Sequence, residues 1–401
     1  MDSVVVTGYG AVTPVGLTAA TTWDSIRHGR SGVTAIDDEW ARDLPVRLGA
    51  RVDASFEDVL TVRERRRMDR AEQFALVAGR EAWDAAGSPE MDPTRLAVVI
   101  GTAVAGVAST VEQEHVLHDR GARYVSPHTA TRMMANGAAA WLSIELGARG
   151  GAHTPVSACA SGIEAIGFAR AMIVSGLADV VVCGGTEAPV IPIGLAAFGQ
   201  ARALSTRNDE PQRASRPFDE HRDGFVLAEG AAVLVLESAD HAAARGAAAY
   251  AHVAGTAVTS DAFDIVNADP ANQARTMTTA MSAAGVAPEQ IGFIHAHATS
   301  TPAGDQNEHD ALHRAFTVPP PVTSTKSATG HLLGASGALS ALVTLLALRD
   351  GVVPPTGTIE TVDPAIDLDI VREPRNLDAA CALVNAFGFG GHNASLVLAR
   401  A

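Results

Sequence analysis

The sequence predicts an α/β fold in which a mixed sheet is covered by helices. Short valine- and alanine-rich runs alternate with longer stretches whose apolar residues recur at helical spacing, and this alternation is typical of sheets packed between helices. The chain has 401 residues, of which 47% are hydrophobic and 19% charged. This length is sufficient for a large core in two domains or in one duplicated domain.

Eight strands are predicted, four in each part of the chain. They cover residues 3–8, 96–102, 179–184 and 231–237, then 250–258, 292–297, 380–386 and 394–399. The last two runs of each part resemble one another and predict an antiparallel pair that closes each half. We therefore expect an ancient duplication, with residues 1–246 and 247–401 as the two halves, joined near a short helix that ends at Gly246.

Two predicted helices lie beside candidate functional residues. Residues 161–175 have apolar side chains at helical spacing and begin just after Cys159, while residues 339–348 are apolar nearly all round. An apolar surface on every side is typical of a buried helix. Both helices are therefore expected inside the molecule.

Composition argues against several classes of protein. Three cysteines are too few for a disulfide framework and include no Cys-x-x-Cys pair, which favours a reducing cytoplasm. The chain opens on an apolar run without a basic leader, and no apolar stretch is expected to reach membrane-spanning length. A formal net charge of -15 argues against nucleic-acid binding, which needs a basic face. Neither a membrane nor a nucleic acid is expected as a partner.

Lys326 is the only lysine among the 30 cationic side chains of the sequence. A lysine ammonium is compact and can give up its proton, whereas the arginine guanidinium is a permanently charged fork. Drift at an exposed position is the alternative explanation, but the small, glycine- and histidine-bearing neighbours do not resemble a solvated charge run. We predict a chemical role for Lys326.

Cys159 lies between a strand-like segment and a predicted helix, in the small-residue segment 157–162. The positive end of a helix dipole favours the thiolate, and small neighbours let a thioester carbonyl approach the sulfur. These features predict a nucleophile. A buried structural cysteine remains the alternative.

Two histidines lie at predicted strand-to-helix junctions, which is where open α/β sheets place their sites. His297 ends a strand candidate, and His331 follows Lys326 closely in the sequence. His295 would share a strand face with His297 and could be a second metal ligand. No third partner follows at metal spacing, so zinc is not expected.

Two glycine-bearing segments differ in what they predict. In residues 387–391, glycines can turn backbone N–H groups inward to form an oxyanion hole, or can form a tight hairpin between two strands; the two interpretations are compatible. At the start of the chain, Gly8 and Gly10 suggest a dinucleotide fingerprint, but Thr13 occupies the place of its third glycine. Nucleotide binding is therefore rejected.

Together these motifs resemble, along the whole chain, the elongating β-ketoacyl-acyl carrier protein synthases of type II fatty acid and polyketide assembly. The resemblance implies a duplicated thiolase-type fold, a five-layered α/β/α/β/α sandwich, and accounts for the similarity of the two halves. The matching segments are residues 5–10, 157–162, 203–208, 215–219, 222–225, 297–301, 326–334 and 387–391.

The resemblance also implies roles for individual residues. Cys159 matches the nucleophile that takes the acyl chain, His297 and His331 match the pair that promotes decarboxylation of the malonyl thioester, and Lys326 matches the lysine that supports them. The backbone N–H groups of Cys159 and Phe389 match the family's oxyanion hole, with Gly388 beside them, and the Phe389 ring matches its gating aromatic. Thr299 and Thr301 match the residues that hydrogen-bond the pantetheine arm. The enzyme itself is expected to bind no cofactor and no metal, because its substrates arrive on the phosphopantetheine of an acyl carrier protein.

The carrier protein of such systems is acidic, so its docking surface on this acidic chain must be locally basic. The resemblance assigns docking to Arg66, Arg67 and Arg202. A wider basic patch is formed by Arg63, Arg65 and Arg70. The alternative is a solvated helix face whose arginines pair with Glu64 and Glu72.

Four departures from the family pattern point to a specialised member and favour assembly of a secondary metabolite, with fatty acid synthesis as the alternative. His295 and Ala298 replace an asparagine and a glycine beside the first histidine. Ser340 replaces a buried glutamate of the lysine network, so that Lys326 needs another anion. Asp264 stands where many relatives have a histidine near the substrate entrance.

The leading hypothesis is a condensing enzyme that works as a homodimer or as a heterodimer with a related subunit. The alternative is a chain-length-factor-like partner with little turnover of its own, which Ser340 favours and the intact Cys159 disfavours. A degradative thiolase needs a second active-site cysteine, and its one candidate, Cys381, lies inside a strand pattern. A cysteine hydrolase fits the paired histidines and the lysine less well.

Overall fold

A computed structural model describes residues 3–401 of the chain. The strands are β1 (Val4–Val12), β2 (Thr34–Ala35), β3 (Leu48–Gly49), β4 (Leu96–Gly101), β5 (Ala152–His153), β6 (Val180–Glu187), β7 (Gly230–Ser238), β8 (Ala251–Ser260), β9 (Ile291–His295), β10 (Val322–Thr323), β11 (Val352–Val353), β12 (Arg375–Asn376), β13 (Cys381–Gly388) and β14 (His392–Arg400). The helices are α1 (Ala19–Arg27), α2 (Val62–Arg67), α3 (Arg70–Ala85), α4 (Val107–Arg120), α5 (Thr129–Met133), α6 (Gly137–Leu146), α7 (Ser161–Val174), α8 (Pro192–Gln200), α9 (Ala239–Ala244), α10 (Pro270–Ala284), α11 (Pro302–Ala315), α12 (Lys326–Thr329) and α13 (Ser336–Asp350).

Ten strands form one hydrogen-bonded sheet made of two similar halves. The order is β5-β4-β6-β7-β1 in the first half and β10-β9-β13-β14-β8 in the second. In each half the two outer pairings are parallel and the two inner ones antiparallel. The halves meet where β1 pairs with β8. All eight predicted strands are confirmed, as are the antiparallel pairs β6–β7 and β13–β14, whereas the domain boundary at residue 246 stays a prediction.

Helices divide the molecule into layers. Helix α3 packs on β1, β7 and β6 and contacts α6, while α10 packs on β8 and β14 and contacts α11. Between the two halves lie α7 and α13, which contact each other and strands of both halves. The predicted α/β class and the five-layered α/β/α/β/α arrangement are confirmed.

The glycines near the start of the chain serve packing. A Cβ on Gly8 would lie 2.2 Å from the Ala82 carbonyl oxygen, and one on Gly10 would lie 2.1 Å from that of Ala78. Strand β1 can therefore approach α3 closely only because these positions lack side chains. The strand continues through both glycines to Val12 without the turn of a phosphate-binding loop, in agreement with the rejection of nucleotide binding.

One expectation about membranes was wrong. Residues 333–350, a short 3-10 turn continued by α13, are long and apolar enough to cross a membrane. However, 89% of this segment is buried inside the protein, because α13 lies between the two halves. The stretch is the central core helix of the fold, and the core helices of soluble proteins also pass this test of length and composition.

Candidate active site

Cys159, His297 and His331 converge at the seam between the two halves. The sulfur of Cys159 lies 3.1 Å from Nε2 of His331, and the ring centroids of the two histidines are 5.3 Å apart. The sulfur and one nitrogen of each ring all lie within 4.8 Å of one another. Residues predicted from two distant parts of the sequence therefore form one group.

A strained turn presents the cysteine. Cys159 lies in the 3-10 turn Ala158–Ala160, directly before α7, and Ala158 has a φ of 49°, which is unusual for a residue with a side chain. Ser161 Oγ accepts a hydrogen bond from the Ser157 N–H at 2.9 Å and lies 2.7 Å from the Ala158 carbonyl oxygen. These contacts hold the turn in its uncommon conformation.

Burial determines the protonation of Cys159. It raises the pKa of the Cys159 thiol to about 12, while the Lys326 charge and the backbone N–H groups of Phe389 and Cys159 lower this pKa by smaller amounts. We expected the helix dipole to favour the thiolate, and in the free protein burial outweighs it. The resting group is a thiol, so its proton needs an acceptor, and His331 is within reach.

Both histidines are neutral. Burial, and then the charge of Lys326, holds the pKa of His297 and of His331 well below the ordinary value. His331 Nδ1 lies 2.9 Å from the hydroxyl of Ser336, which can donate or accept a hydrogen bond. This serine therefore accommodates either tautomer of His331. His331 follows α12 rather than a strand, so its predicted position at a strand-to-helix junction was wrong.

Glu308 is the anion that Lys326 lacked in the sequence analysis. Burial lowers the pKa of Lys326 to about 8, and the largest opposing effect is the charge of Glu308. The Glu308 carboxylate accepts the backbone N–H groups of His297 at 2.9 Å and of Ala298 at 2.7 Å. One side chain on α11 thus supports both the lysine and the segment that carries His297. Glu308 lies in an ordinary helical pattern after the 297–301 motif, and no feature of that pattern points to a role in the site, so it was missed.

His295 does not join the group of Cys159, His297 and His331. Its ring is fully buried, and Nε2 lies 3.0 Å from the hydroxyl of Thr325, the neighbour of Lys326. Nδ1 has no hydrogen-bond partner within residues 3–401. Burial lowers the pKa of His295 to about 3, so this departure adds a neutral ring beside the lysine. Ser340 is buried within α13.

The glycine segment is both a hairpin and a cover for the nucleophile. Residues 389–391 join β13 to β14. A Cβ on Gly388 would lie 2.7 Å from the Ser157 carbonyl oxygen and 3.0 Å from the Cys159 nitrogen, so only glycine permits this approach. The Phe389 backbone N–H lies within hydrogen-bonding reach of Cys159, and its side chain is 42% exposed.

A loop beside this hairpin carries Asp264. The backbone N–H of Gly390 donates to the Ile265 carbonyl oxygen at 2.7 Å, which places the loop against the residues that flank Phe389. Asp264 itself is exposed, and the backbone N–H groups of Asn267 and Val266 lower its pKa. It stabilises the turn of the loop.

Two threonines continue from the His297 segment. The hydroxyls of Thr299 and Thr301 lie 3.0 Å apart, with Thr299 buried and Thr301 partly exposed. A pair of hydroxyls between a buried group and solvent can hydrogen-bond an amide-bearing arm that enters from outside.

The arginine patch is smaller than predicted. Arg65 pairs with Glu57 at 2.9 Å and Arg70 with Glu229 at 3.0 Å, so these two arginines face the protein. Arg66, Arg67 and Arg202 form no ion pair within residues 3–401. The pairing partners of the alternative explanation are engaged elsewhere, because Glu64 pairs with Arg80 and the buried Glu72 accepts the Asp69 N–H.

A second buried carboxylate was missed. Glu187, at the end of β6, accepts four hydrogen bonds, from the Gly334 N–H and from the segment formed by Thr102, Ala103 and Val104. Gly334 lies three residues after His331. Glu187 therefore ties the segment that carries His331 to the loop that follows β4.

Comparison with protein families identifies this arrangement. The model of the β-ketoacyl synthase N-terminal domain matches residues 1–242, and that of the β-ketoacyl synthase C-terminal domain matches residues 250–360. The chain belongs to the β-ketoacyl synthase family. It is a ketosynthase, an acyltransferase that forms carbon–carbon bonds.

Curated relatives extend over the full chain. A 3-oxoacyl-[acyl-carrier-protein] synthase 2 of Mycobacterium tuberculosis is 44% identical over 404 residues, covering 99% of this chain and 97% of that protein. A protein of the same name from Synechocystis is 42% identical over 408 residues, covering 99% of this chain and 98% of that protein.

Solved structures agree in fold. A β-ketoacyl synthase from Burkholderia phymatum superimposes with a TM-score of 0.93 at 34% identity, covering all of both chains. A second match is a chain from the solved complex of a type II polyketide acyl-carrier protein with its ketosynthase bound to the hexaketide. It superimposes with a TM-score of 0.91 at 31% sequence identity, covering 100% of this chain and 99% of that one. The ishigamide ketosynthase/chain length factor superimposes with a TM-score of 0.92 at 32% sequence identity, covering 100% of this chain and 99% of that one.

Proposed function

We propose that this ketosynthase condenses an acyl chain on Cys159 with malonyl-acyl carrier protein, with loss of CO₂, and so extends the chain by two carbons. The observation that carries the proposal is the group of one half-buried thiol and two neutral imidazoles, in which the Cys159 sulfur lies 3.1 Å from His331 Nε2. A nucleophile for acyl transfer and two hydrogen-bond donors for an enolate are the groups that this reaction needs.

Acyl loading comes first. His331 Nε2 accepts the thiol proton while its Nδ1 donates to Ser336, and the sulfur attacks the thioester of the acyl carrier. The backbone N–H groups of Cys159 and Phe389 stabilise the oxyanion of the tetrahedral intermediate. The proton on His331 then passes to the departing pantetheine thiol, which leaves acyl-Cys159 and a neutral ring.

Condensation uses the second tautomer of His331. With Ser336 donating to Nδ1, His331 Nε2 carries a proton and donates, with His297, to the malonyl thioester carbonyl. CO₂ leaves and the carbonyl oxygen becomes the enolate oxygen, which both donors stabilise as its charge grows. The enolate carbon attacks the acyl-Cys159 carbonyl, the carbon–sulfur bond breaks and the β-ketoacyl carrier forms. The expelled Cys159 thiolate takes up one proton from solvent, which restores the resting thiol. The Lys326 ammonium stabilises the negative charge of this step.

The substrates are proposed to arrive on the phosphopantetheine of an acyl carrier protein. Arg66, Arg67 and Arg202 form no ion pair with any residue that the structure describes and are exposed or partly exposed, so they are accessible to an acidic partner. Thr299 and Thr301 are proposed to hydrogen-bond the pantetheine arm. The solved complex of a type II acyl-carrier protein with its ketosynthase, which shares the fold, supports this partner. No cofactor on the enzyme is needed for any step.

The pathway is proposed to be type II assembly of fatty acids or polyketides. The departures at His295, Ala298, Ser340 and Asp264 favour a specialised substrate. The relatives named 3-oxoacyl-[acyl-carrier-protein] synthase 2 share more sequence identity with the chain, 42–44%, than the polyketide structures, 31–32%. Parallel extension assays with saturated acyl carriers and with β-ketoacyl carriers separate the two pathways.

A chain-length-factor-like partner subunit is the second candidate, favoured by Ser340 alone. One experiment tests both. The purified chain is given an acyl-carrier thioester, an adduct on Cys159 is sought by intact mass, and malonyl-carrier is then added. We expect loading followed by a β-ketoacyl product. Loading without condensation favours the partner subunit, and no loading onto a folded chain overturns the enzymatic proposal.

A further inference from the structure

We propose that the catalytic group of Cys159, His297 and His331 is also a binding site for a thiophilic divalent cation such as Zn²⁺, which would block the nucleophile reversibly. No third ligand follows these histidines at metal spacing along the chain. The fold brings a sulfur from the first half to two imidazoles from the second. The inference rests on this geometry and holds whether or not the proposed condensation is correct.

The distances suit a tetrahedral cation. Zinc binds thiolate at about 2.3 Å and imidazole nitrogen at about 2.0 Å, so ligand atoms around one ion lie about 3.5 Å apart. Here the sulfur and His331 Nε2 are 3.1 Å apart, and the three ligand atoms lie within 4.8 Å of one another. A ring movement of about 1 Å is enough to complete the coordination. Three protein ligands leave the fourth position to water.

The free ring nitrogens favour binding by the histidines. A metal competes with protons for its ligands, and a neutral imidazole binds through its free nitrogen without losing a proton. His297 Nδ1 is buried and has no hydrogen-bond partner within residues 3–401. Only the Cys159 thiol must lose a proton. The balanced step is cation plus thiol giving the cation–thiolate bond and one proton, which passes to solvent.

Charge around the group does not exclude a cation. The nearby Lys326 ammonium is opposed by Glu308, whose charge is the largest effect that keeps the lysine protonated. The Glu187 carboxylate also raises the pKa of the Cys159 thiol, and burial raises the pKa of Glu187 itself to about 7. A negative charge that disfavours the bare thiolate stabilises a thiolate bound to a divalent cation.

Cobalt is the probe for the test. The full chain, stripped with a chelator, is titrated with Co²⁺ alone and followed by absorption. A thiolate-to-cobalt charge-transfer band at one equivalent, with release of one proton per ion, is the expected result. The band disappears in Cys159→Ser and weakens in His297→Ala, with folding checked by thermal denaturation.

The matched control is another pair of histidines. His309 and His313 lie one turn apart on α11 with ring centroids 4.6 Å from each other, and such a pair can also bind a metal. His309→Ala/His313→Ala should keep the band. The proposal would be overturned if the charge-transfer band were lost in His309→Ala/His313→Ala, if it persisted in Cys159→Ser, or if the wild type showed no band.

Protection of Cys159 from alkylation by bound Zn²⁺ gives a second measurement, which requires no substrate. At a Zn²⁺ concentration ten times the dissociation constant, alkylation of Cys159 by iodoacetamide should slow about tenfold, and a chelator should restore it. Unchanged alkylation contradicts the site. Acyl loading without metal tests the proposed function separately, so failure of one leaves the other intact.

Discussion

The raised pKa of Cys159 has a direct consequence for its reactivity. Because burial moves the pKa of this thiol to about 12, its thiolate fraction at pH 7 is small and grows about tenfold for each pH unit. Alkylation by iodoacetamide should therefore keep rising to pH 10 and beyond, where an ordinary cysteine has levelled off. The measurement is the rate of mass gain from pH 7 to 10.5.

Cys381 needs to be separated from this signal, since it is half-buried whereas Cys183 is fully buried. A Cys381→Ser variant leaves Cys159 as the accessible thiol. If its alkylation levels off near pH 8.5, burial does not control the nucleophile and the assigned pKa is wrong.

The lowered pKa of Lys326 predicts the pH above which the condensation rate falls. Its pKa is lowered to about 8 by burial, so the ammonium is present below pH 8 and is lost as the pH rises through that value. The stabilisation it gives to the enolate is lost with it, and the condensation rate should fall above pH 8. Loading of Cys159 should not fall in the same range, because more thiolate is present there.

Lys326→Arg is the matched variant for this pH dependence. Arginine stays charged at every pH used. The condensation rate of the variant is expected to be lower than that of the wild type but should not fall between pH 7.5 and 9.5. Thermal denaturation checks that the variant is folded. A wild-type rate that is flat over this range would show that the lysine charge has no part in the step.

At the scale of elements, the proposed carrier surface consists of helix α2, which carries Arg66 and Arg67, together with Arg202. Replacing Arg66 and Arg67 by alanine should raise KM for carrier-bound substrates about tenfold and leave kcat nearly unchanged, because the arginines contact only the carrier. The KM of a short pantetheine thioester without carrier should not change.

Arg65 provides the control for the docking helix. It lies on the same helix but pairs with Glu57, so Arg65→Ala should affect the KM for the carrier less. Equal effects of the two variants, or an effect on the free thioester, would place the carrier elsewhere.

Glu187 links two elements across the seam, and its neutralisation should have opposite effects on two measurements. In Glu187→Gln, an amide N–H₂ faces backbone N–H donors, so the His331 segment shifts and condensation should slow about 10- to 100-fold. Loss of the negative charge lowers the Cys159 pKa, so the alkylation curve should move to lower pH.

Thr102→Val removes only one of the four hydrogen bonds to Glu187 and should change both measurements little. A Glu187→Gln variant that loses thermal stability while its alkylation curve stays in place would limit this residue to a structural role.

The main elements could be predicted because their patterns are local. The four strands of each half are runs of β-branched and alanine residues that end at glycine or polar positions, and α7 and α13 are apolar on most sides. Two-residue strands such as β5 and β10 carry too few residues for a pattern. They exist because longer neighbours provide hydrogen-bond partners.

Within the site, the sequence revealed residues embedded in motifs and missed those that act through space. Cys159 and the two histidines lie in conspicuous small-residue or glycine-bearing segments. Glu308 and Glu187 lie in ordinary helix and strand contexts, and their importance comes from backbone N–H groups that the fold brings to them. The pKa of Cys159 likewise depends on burial, which no local pattern reports.

At the scale of the whole molecule, one edge of the sheet is unprotected. Both residues of β5, the last strand of the first half, are exposed. Apolar side chains nearby are exposed too, with Ile144 on α6 at 71% and Val156 at 54%, and the Phe168 ring lies against His153 at 5.0 Å. An open strand edge among apolar side chains is a surface that needs a partner.

We expect a second copy of the chain to cover this face by pairing β5 with β5. Light scattering at about 10 μM should then give twice 41.3 kDa. Val156→Arg should shift the mass toward the monomer, because a charge buried at such an interface lacks a counter-ion. Val318 is 80% exposed outside this face, so Val318→Arg should stay dimeric. A wild-type monomer that forms a stable complex only with a related ketosynthase subunit would instead make the protein one half of a heterodimer, since the same open edge would then be covered by a different chain.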